Sequence, residues 1–128
     1  HPSVATSYNN MARIYNYQCN YGRALEFYEQ GLRIRLQILG EQHPDIAETY
    51  NTIAVIYRAQ NNFEQALGFH LKALPIMLQS LGEWHPEIAT TYTNMALVYE
   101  EQGSYRHAFE LHQKALQIRL HNFGEQHP

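Results

Sequence analysis

The chain has 128 residues, 45 % hydrophobic and 16 % charged, a balance that favours one folded domain with its own core over a disordered chain. The net charge of −3 comes with no basic stripe, so nucleic acid is not an expected partner. No apolar run approaches the ~18 residues a membrane span requires, no signal peptide is visible, and a single cysteine, Cys19, excludes an internal disulfide and a thiolate metal cluster. A reducing, cytoplasmic setting is expected. The first residue is His1 rather than Met, from which a longer parent chain is expected.

The dipeptide His-Pro occurs at 1–2, 43–44, 85–86 and 127–128, always 42 residues apart. Residues 1–42, 43–84 and 85–126 align without gaps, and 13 of the 42 columns are identical in all three copies. A fixed period of this length marks a repeat architecture. One domain over 1–128 is therefore expected, with three repeats and the start of a further one at His127-Pro128.

Each copy reads as two helices. In the second copy, His43 caps a helix that begins at Pro44, where a missing N–H has no intrahelical partner to lose. Asp45 suits the positive end of the helix dipole. Ile46, Tyr50, Ile53, Ala54 and Tyr57 then recur at helical spacing until about Gln60. Asn61 accepts a left-handed turn, and Asn62 caps a second helix over 63–81 that Gly82 ends. The first and third copies follow the same plan, with Asn20 and Ser104 as caps and Gly40 and Gly124 as stops.

Ala12, Ala54, Ala96, Ala24, Ala66 and Ala108 allow close approach of helix backbones, and the tyrosines are expected to fill the space between hairpins. One hairpin cannot bury both of its faces, so neighbours must stack. Two residues break local rules. Pro75 falls inside the second helix of copy two and predicts a kink or short break near Leu71–Pro75. Cys19 holds the turn position of Asn61 and Gly103, where a left-handed backbone is mildly strained.

The pattern Tyr8-x-x-Met11-Ala12-x-x-Tyr15, then Tyr21-x-x-Ala24-x-x-x-Tyr28, resembles the tetratricopeptide repeat. Copies two and three carry it in Tyr50, Ile53, Ala54, Tyr57, Phe63 and Ala66, and in Tyr92, Met95, Ala96, Tyr99, Tyr105 and Ala108. Gly31 replaces the second alanine of copy one, and His70 and His112 replace the second aromatic. The usual repeat is about 34 residues; eight more lengthen each helix by roughly one turn. The 42-residue form, with His-Pro-(Asp/Glu)-Ile-Ala and Leu-Gly-Glu, is similar to kinesin light chains. The resemblance implies an all-α, right-handed solenoid of three helix-turn-helix hairpins, six antiparallel helices in all. It also implies a scaffold without catalytic activity or cofactor, which takes a peptide of a partner protein in a concave groove lined by the first helices.

The matching positions form one stripe on each first helix. The expected peptide contacts are Asn9, Arg13 and Asn16 in copy one, Asn51, Val55 and Arg58 in copy two, and Thr93 and Leu97 in copy three. Asn9 and Asn51 each offer a donor and an acceptor to a peptide backbone, or else bond to a neighbouring helix. Arg13 and Arg58 suit a carboxylate; Arg58 equally suits a salt bridge to Glu100 in the next repeat. Val55 and Leu97 give an apolar floor. Glu48, Glu100 and Glu101 make the groove less basic than one that captures tryptophan-acidic peptides, so a peptide of mixed charge is expected.

Other chemistry is weakly supported. His1, His43, His85 and His127 open the repeats and read as caps; His70 and His112 read as core histidines; His107 and His121 match no metal spacing. No phosphate loop, nucleophile elbow or carboxylate pair is present. Trp84 is either an exposed anchor or a cover for the kinked helix. A second functional reading is structural: the terminal hairpins lack polar capping helices, so the end near Leu111, Leu116 and Leu120 either stacks on another chain, stacks on a fourth repeat of a longer parent chain, or leaves the array a spacer.

Overall fold

The computed structural model describes residues 1–126; His127-Pro128, the expected start of another repeat, lie outside the described residues. Six helices follow one another: α1 Pro2–Tyr17, α2 Tyr21–Leu39, α3 Pro44–Ala59, α4 Phe63–Leu81, α5 Pro86–Glu101 and α6 Tyr105–Gln126. They pair as hairpins α1·α2, α3·α4 and α5·α6, and the hairpins stack through α2 on α3 and α4 on α5.

The helix starts are set by the His-Pro pairs. The Nδ1 atoms of His1, His43 and His85 accept from the backbone N–H of Ser3, Asp45 and Glu87 at 3.2, 3.1 and 3.1 Å. Each ring thereby satisfies one of the orphan donors of a helix N-terminus. The hairpin turns hold Cys19, Asn61 and Gly103 at φ 61, 63 and 78°, so copy one places a cysteine in the strained left-handed region, as its alignment with Asn61 predicts. Asn20 caps α2 through the N–H of Arg23. Asn62 does not cap α4: its amide donates instead to the Gln65 side chain at 2.9 Å.

Ala12, Ala54, Ala96, Ala24, Ala66 and Ala108 are all buried. The tyrosines behave differently from expectation. Tyr8 and Tyr15 stack on Phe27, and Tyr50 and Tyr57 on Phe69, in each case inside one hairpin. Copy three has Leu111 at the position of Phe27 and Phe69; there Tyr99 stacks on His107 and Lys114 lies over Tyr92. Between the hairpins Ile46, Ile53, Ile56 and Ile88 are fully buried, each contributing about 1.5–3 kcal/mol over an exposed position, and Tyr28 is buried beside the first of these spaces.

No break interrupts α4 at Pro75, and α6 does not stop at Gly124. Pro75 faces outward beside exposed Leu71 and Leu78, while Ala73, Ile76 and Met77 on the other side are buried. The carbonyl left without an N–H partner therefore lies on the solvent side, and packing of the opposite face holds the helix together. α6 likewise continues through Gly124 to Gln126. Gly40 and Gly82 turn at φ 83 and 86° into loops that deliver the next hairpin; Gly124 has no such φ.

Candidate functional site

Among the described residues, α1, α3 and α5 line one face of the stack, and three cavities open along it; one of about 450 Å³ is lined by Val55, Arg58, Ala59, Asn61, Phe63 and Glu101. The cavity between α1 and α3, about 300 Å³, is lined by Asn9, Asn10 and Arg13 of α1, Tyr28 and Arg35 of α2, and Glu48, Thr49 and Thr52 of α3. The one between α3 and α5, about 340 Å³, is lined by Asn51, Thr52 and Val55, Met77 of α4, and Glu87, Thr90 and Asn94 of α5; Glu48 borders both. The stripe read from sequence thus lies beside real cavities, one with two arginines and one with two glutamates.

The polar groups in that stripe are not equally available. Asn51 is committed to its neighbours. Its Oδ1 accepts from His70 Nδ1 at 2.8 Å, and its Nδ2 donates to Thr91 Oγ1 at 3.1 Å and faces Met77 Sδ at 3.2 Å. Thr91 passes its own proton to the Glu87 carbonyl. The network ties α3 to α4 and α5, and the expected role of Asn51 as a free backbone-binding amide is corrected to that of an inter-repeat clamp. His70 is a core histidine, as expected, and 1 % exposed. Burial, reinforced by the Arg58 charge, lowers its pKa to about 4, so the ring is neutral with the proton on Nδ1.

The same repeat positions are used differently in copy one. Asn9, with its amide oxygen turned toward α2, accepts from Arg35 Nη1 at 2.7 Å. Arg35 Nη1 also approaches Thr49 Oγ1 of the next hairpin at 3.5 Å. In copy three, Arg119 donates to Thr93 Oγ1 at 3.0 Å. In every copy, therefore, the ninth residue meets the thirty-fifth, on the second helix of its own hairpin. Sequence reasoning missed Arg35, Met77 and Arg119, although their shared column was a usable signal.

Gly31 belongs to this arrangement: a Cβ there would meet the Asn9 amide at 2.5 Å and the Ala5 carbonyl at 3.2 Å. Arg13 is exposed beside the first cavity and donates to Asn10 Oδ1 one turn back at 3.4 Å. Burial raises the Tyr28 phenol above its ordinary pKa, with the Arg13 charge pulling the other way. Asn16 is half-buried further along α1.

Arg58 forms a salt bridge, but with Glu101 at 3.0 Å rather than with Glu100. Glu100 instead accepts from His112 Nε2 at 3.1 Å, and that histidine is half-exposed rather than in the core. His70 has α5 packed over it; no hairpin covers the corresponding face of α6 among the described residues. Val55 is exposed at the edge of the second cavity, and Leu97 is half-buried on α5. Trp84 is 43 % exposed and stacks on His121 of α6 at 4.3 Å, and its backbone carbonyl accepts from Asn122 at 2.8 Å. No group of three or more His, Cys, Asp or Glu among the described residues is placed to hold a metal, and no described helix is long and apolar enough to cross a membrane.

Stacked hairpins whose first helices line a shared, cavity-bearing face define a helical-repeat scaffold. The family model described as tetratricopeptide repeat matches residues 3–79 and 62–121, and the chain belongs to the tetratricopeptide repeat family. Within it, the array is of the kinesin-light-chain-like type. BtubC (BKLC) from P. vanneervenii is 28 % identical, with a TM-score of 0.87 over 94 % of this chain and 48 % of its own. The nearly identical TPR-like repeats described as a kinesin light chain from Podosopora anserina are 25 % identical, with a TM-score of 0.79 over 94 % of this chain and 57 % of theirs. The chain thus spans about half the length of these two structures. The N-terminal domain of stress-induced protein-1 from C. elegans, 14 % identical, shares the fold with a TM-score of 0.72 over 91 % of this chain and 85 % of its own. No curated protein sequence matches the chain.

Proposed function

We propose that the chain is a non-catalytic protein-binding scaffold that holds an extended peptide of mixed charge along its first helices. The observation that carries this reading is the pair of adjacent cavities with opposite charge. Arg13 and Arg35 border the first, Glu87 borders the second, and Glu48 stands between them and borders both. Arg13 is the exposed cation, and its guanidinium suits a peptide carboxylate bidentately. Val55 offers an apolar contact at the edge of the second cavity, with Asn16, Thr93 and Leu97 extending the stripe. Arg58 is engaged with Glu101 and Asn51 with His70, so their part is to shape the groove. A cytoplasmic setting fits the exposed free thiol of Cys19.

The test is selection from a phage-displayed peptide library against the whole chain and against Arg13→Glu. The wild type should enrich peptides with an acidic residue followed by a basic one. Arg13→Glu should erase the acidic preference while leaving the basic one. Equal enrichment by both proteins, or none by the wild type, would reject the groove.

A second reading is favoured by the exposure of Leu116 and Leu120 on α6: the array associates end to end with another array.

A further inference from the structure

The cavities of the first-helix face share walls, each with the next. Glu48 and Thr52 line both central cavities, the one bordered by Arg13 and the one bordered by Glu87. Val55 belongs to the latter and also to the cavity of about 450 Å³ beyond it, whose other apolar walls are Ala59 and Phe63. In the opposite direction, Thr6 and Arg35 line both the Arg13 cavity and a further one of about 160 Å³. Pro2, Ile38 and Leu39 are the apolar walls of that one. The four therefore make one continuous path, which crosses from α1 to α5 while it climbs the helices.

The chemistry changes in order along the path. Pro2, Ile38 and Leu39 are exposed apolar groups, Ile38 at 46 %. Arg35 and Arg13 follow, then Glu48 and Glu87. The last cavity returns to apolar walls, and its two charges, Arg58 and Glu101, neutralise each other at 3.0 Å. The openness of the first cavity is a property of the repeat position. Pro44 and Pro86, the counterparts of Pro2, and Glu48 and Thr90, the counterparts of Thr6, are exposed in hairpins that follow another hairpin. The last cavity lies between hairpins two and three, inside the array. The apolar start occurs once: Ser80 and Asn122 stand in copies two and three where Ile38 stands in copy one. Pro2 and Ala59 hold repeat positions 2 and 17, so the path rises ~22 Å along the helices, about seven residues of extended chain.

We infer that the partner segment is an extended peptide with an apolar side chain at each end, an acidic one after the first and a basic one before the second. This rests on the groove reading and adds to it two end anchors and a single register. Charge complementarity sets the middle, with the carboxylate on Arg13 and the cation on Glu48 and Glu87. The walls at the two ends gain from an apolar occupant and lose from a polar one. Because Ile38 has no apolar counterpart at the second seam, the segment has one place to start.

Fluorescence anisotropy tests this with two labelled peptides, Leu-Ser-Asp-Ser-Lys-Ser-Phe and its reversed sequence, which offer the same order of side chains in the two chain directions. One of them should bind the wild type, and changing its Leu or its Phe to Ser should each weaken binding about tenfold. With Ile38→Ser, which installs the residue of copy two, the Leu change should cost under about twofold while the Phe change still costs about tenfold. Val55→Asn should show the converse. Both sites are exposed, and unchanged far-UV circular dichroism verifies the fold. Serine-ended peptides that bind as tightly as their parent would overturn the end anchors and leave the charged groove standing. A variant that blunts both end preferences alike would overturn the assignment of the ends. Failure of both peptides on the wild type would overturn the register, and the library selection then decides whether the groove falls with it.

Discussion

The seam between the first and second hairpins and the seam between the second and third are built on the same repeat positions, yet they are closed by different chemistry. At the centre of the second seam the groups are neutral: His70, Asn51 and Thr91 satisfy one another, with Met77 against them, and the Arg58–Glu101 pair crosses its edge. The first puts an arginine where the second has Met77, and a tyrosine where it has His70. A satisfied neutral network stabilises its seam and leaves the Asn51 amide no spare bond, whereas a guanidinium with five donors bonded to Asn9 and Thr49 can hold a seam and still polarise the cavity beside it.

The largest effect that would test this contrast is on pH. His70 titrates near 4 when folded and near its ordinary 6.5 when unfolded. Between those values the unfolded chain binds more protons, so stability is full above about pH 6.5 and falls as pH drops toward 4. The loss is about 3 kcal/mol. Urea unfolding at a series of pH values should show that slope in the wild type and a shallower one in His70→Gln. Parallel slopes would place the acid sensitivity elsewhere. At the first seam Tyr28 occupies the histidine's position and has no charge change in this range.

Next in size is the asparagine pair. Asn51→Ala leaves the His70 N–H facing no acceptor in a nearly sealed site and should cost about 2 kcal/mol in urea unfolding at neutral pH. Asn9→Ala leaves Arg35 with Thr49 and with water and should cost about 0.5–1 kcal/mol. Equal losses would break the distinction between the seams. Removing the half-exposed Arg58–Glu101 pair with Glu101→Ala should cost under about 1 kcal/mol, and the difference should vanish in high salt. Smallest is Gly31→Ala. The helix gains about 1 kcal/mol of propensity and loses the seat of Asn9, so the net change in urea midpoint should be near zero. A clear stabilisation would mean that Asn9 does not depend on the open space at Gly31.

Much of the fold was legible because its determinants are local and periodic. The His-Pro caps, the buried alanines, and the glycines at 40 and 82 act within a few residues of where they stand. What escaped the sequence depends on partners far along the chain or on position in the stack. Asn51 reads as a groove amide until His70 and Thr91, 19 and 40 residues away, take its hydrogen bonds. His70 and His112 share a column, and only the hairpin packed over α4 makes one of them a core residue. Pro75 reads as a break because its cost is local, while the packing of Ile76 and Met77 that preserves α4 is not. Of the candidate site, the stripe and Arg13 were readable; which of its amides and cations were already engaged was not.

The claim that the first helices form the binding face, with Arg13 available to a peptide and Asn51 held by its neighbours, is tested most directly by NMR. A library-selected peptide would be titrated into the isotope-labelled chain, with the side chains of Arg13 and Asn51 both observed. The account predicts that the Arg13 Nε signal and the α1 and α3 amides near Thr52 and Val55 shift in proportion to peptide, while the Asn51 amide stays in place. Shifts confined to α2, α4 or α6, or an Asn51 amide that leaves His70 for the peptide, would contradict it.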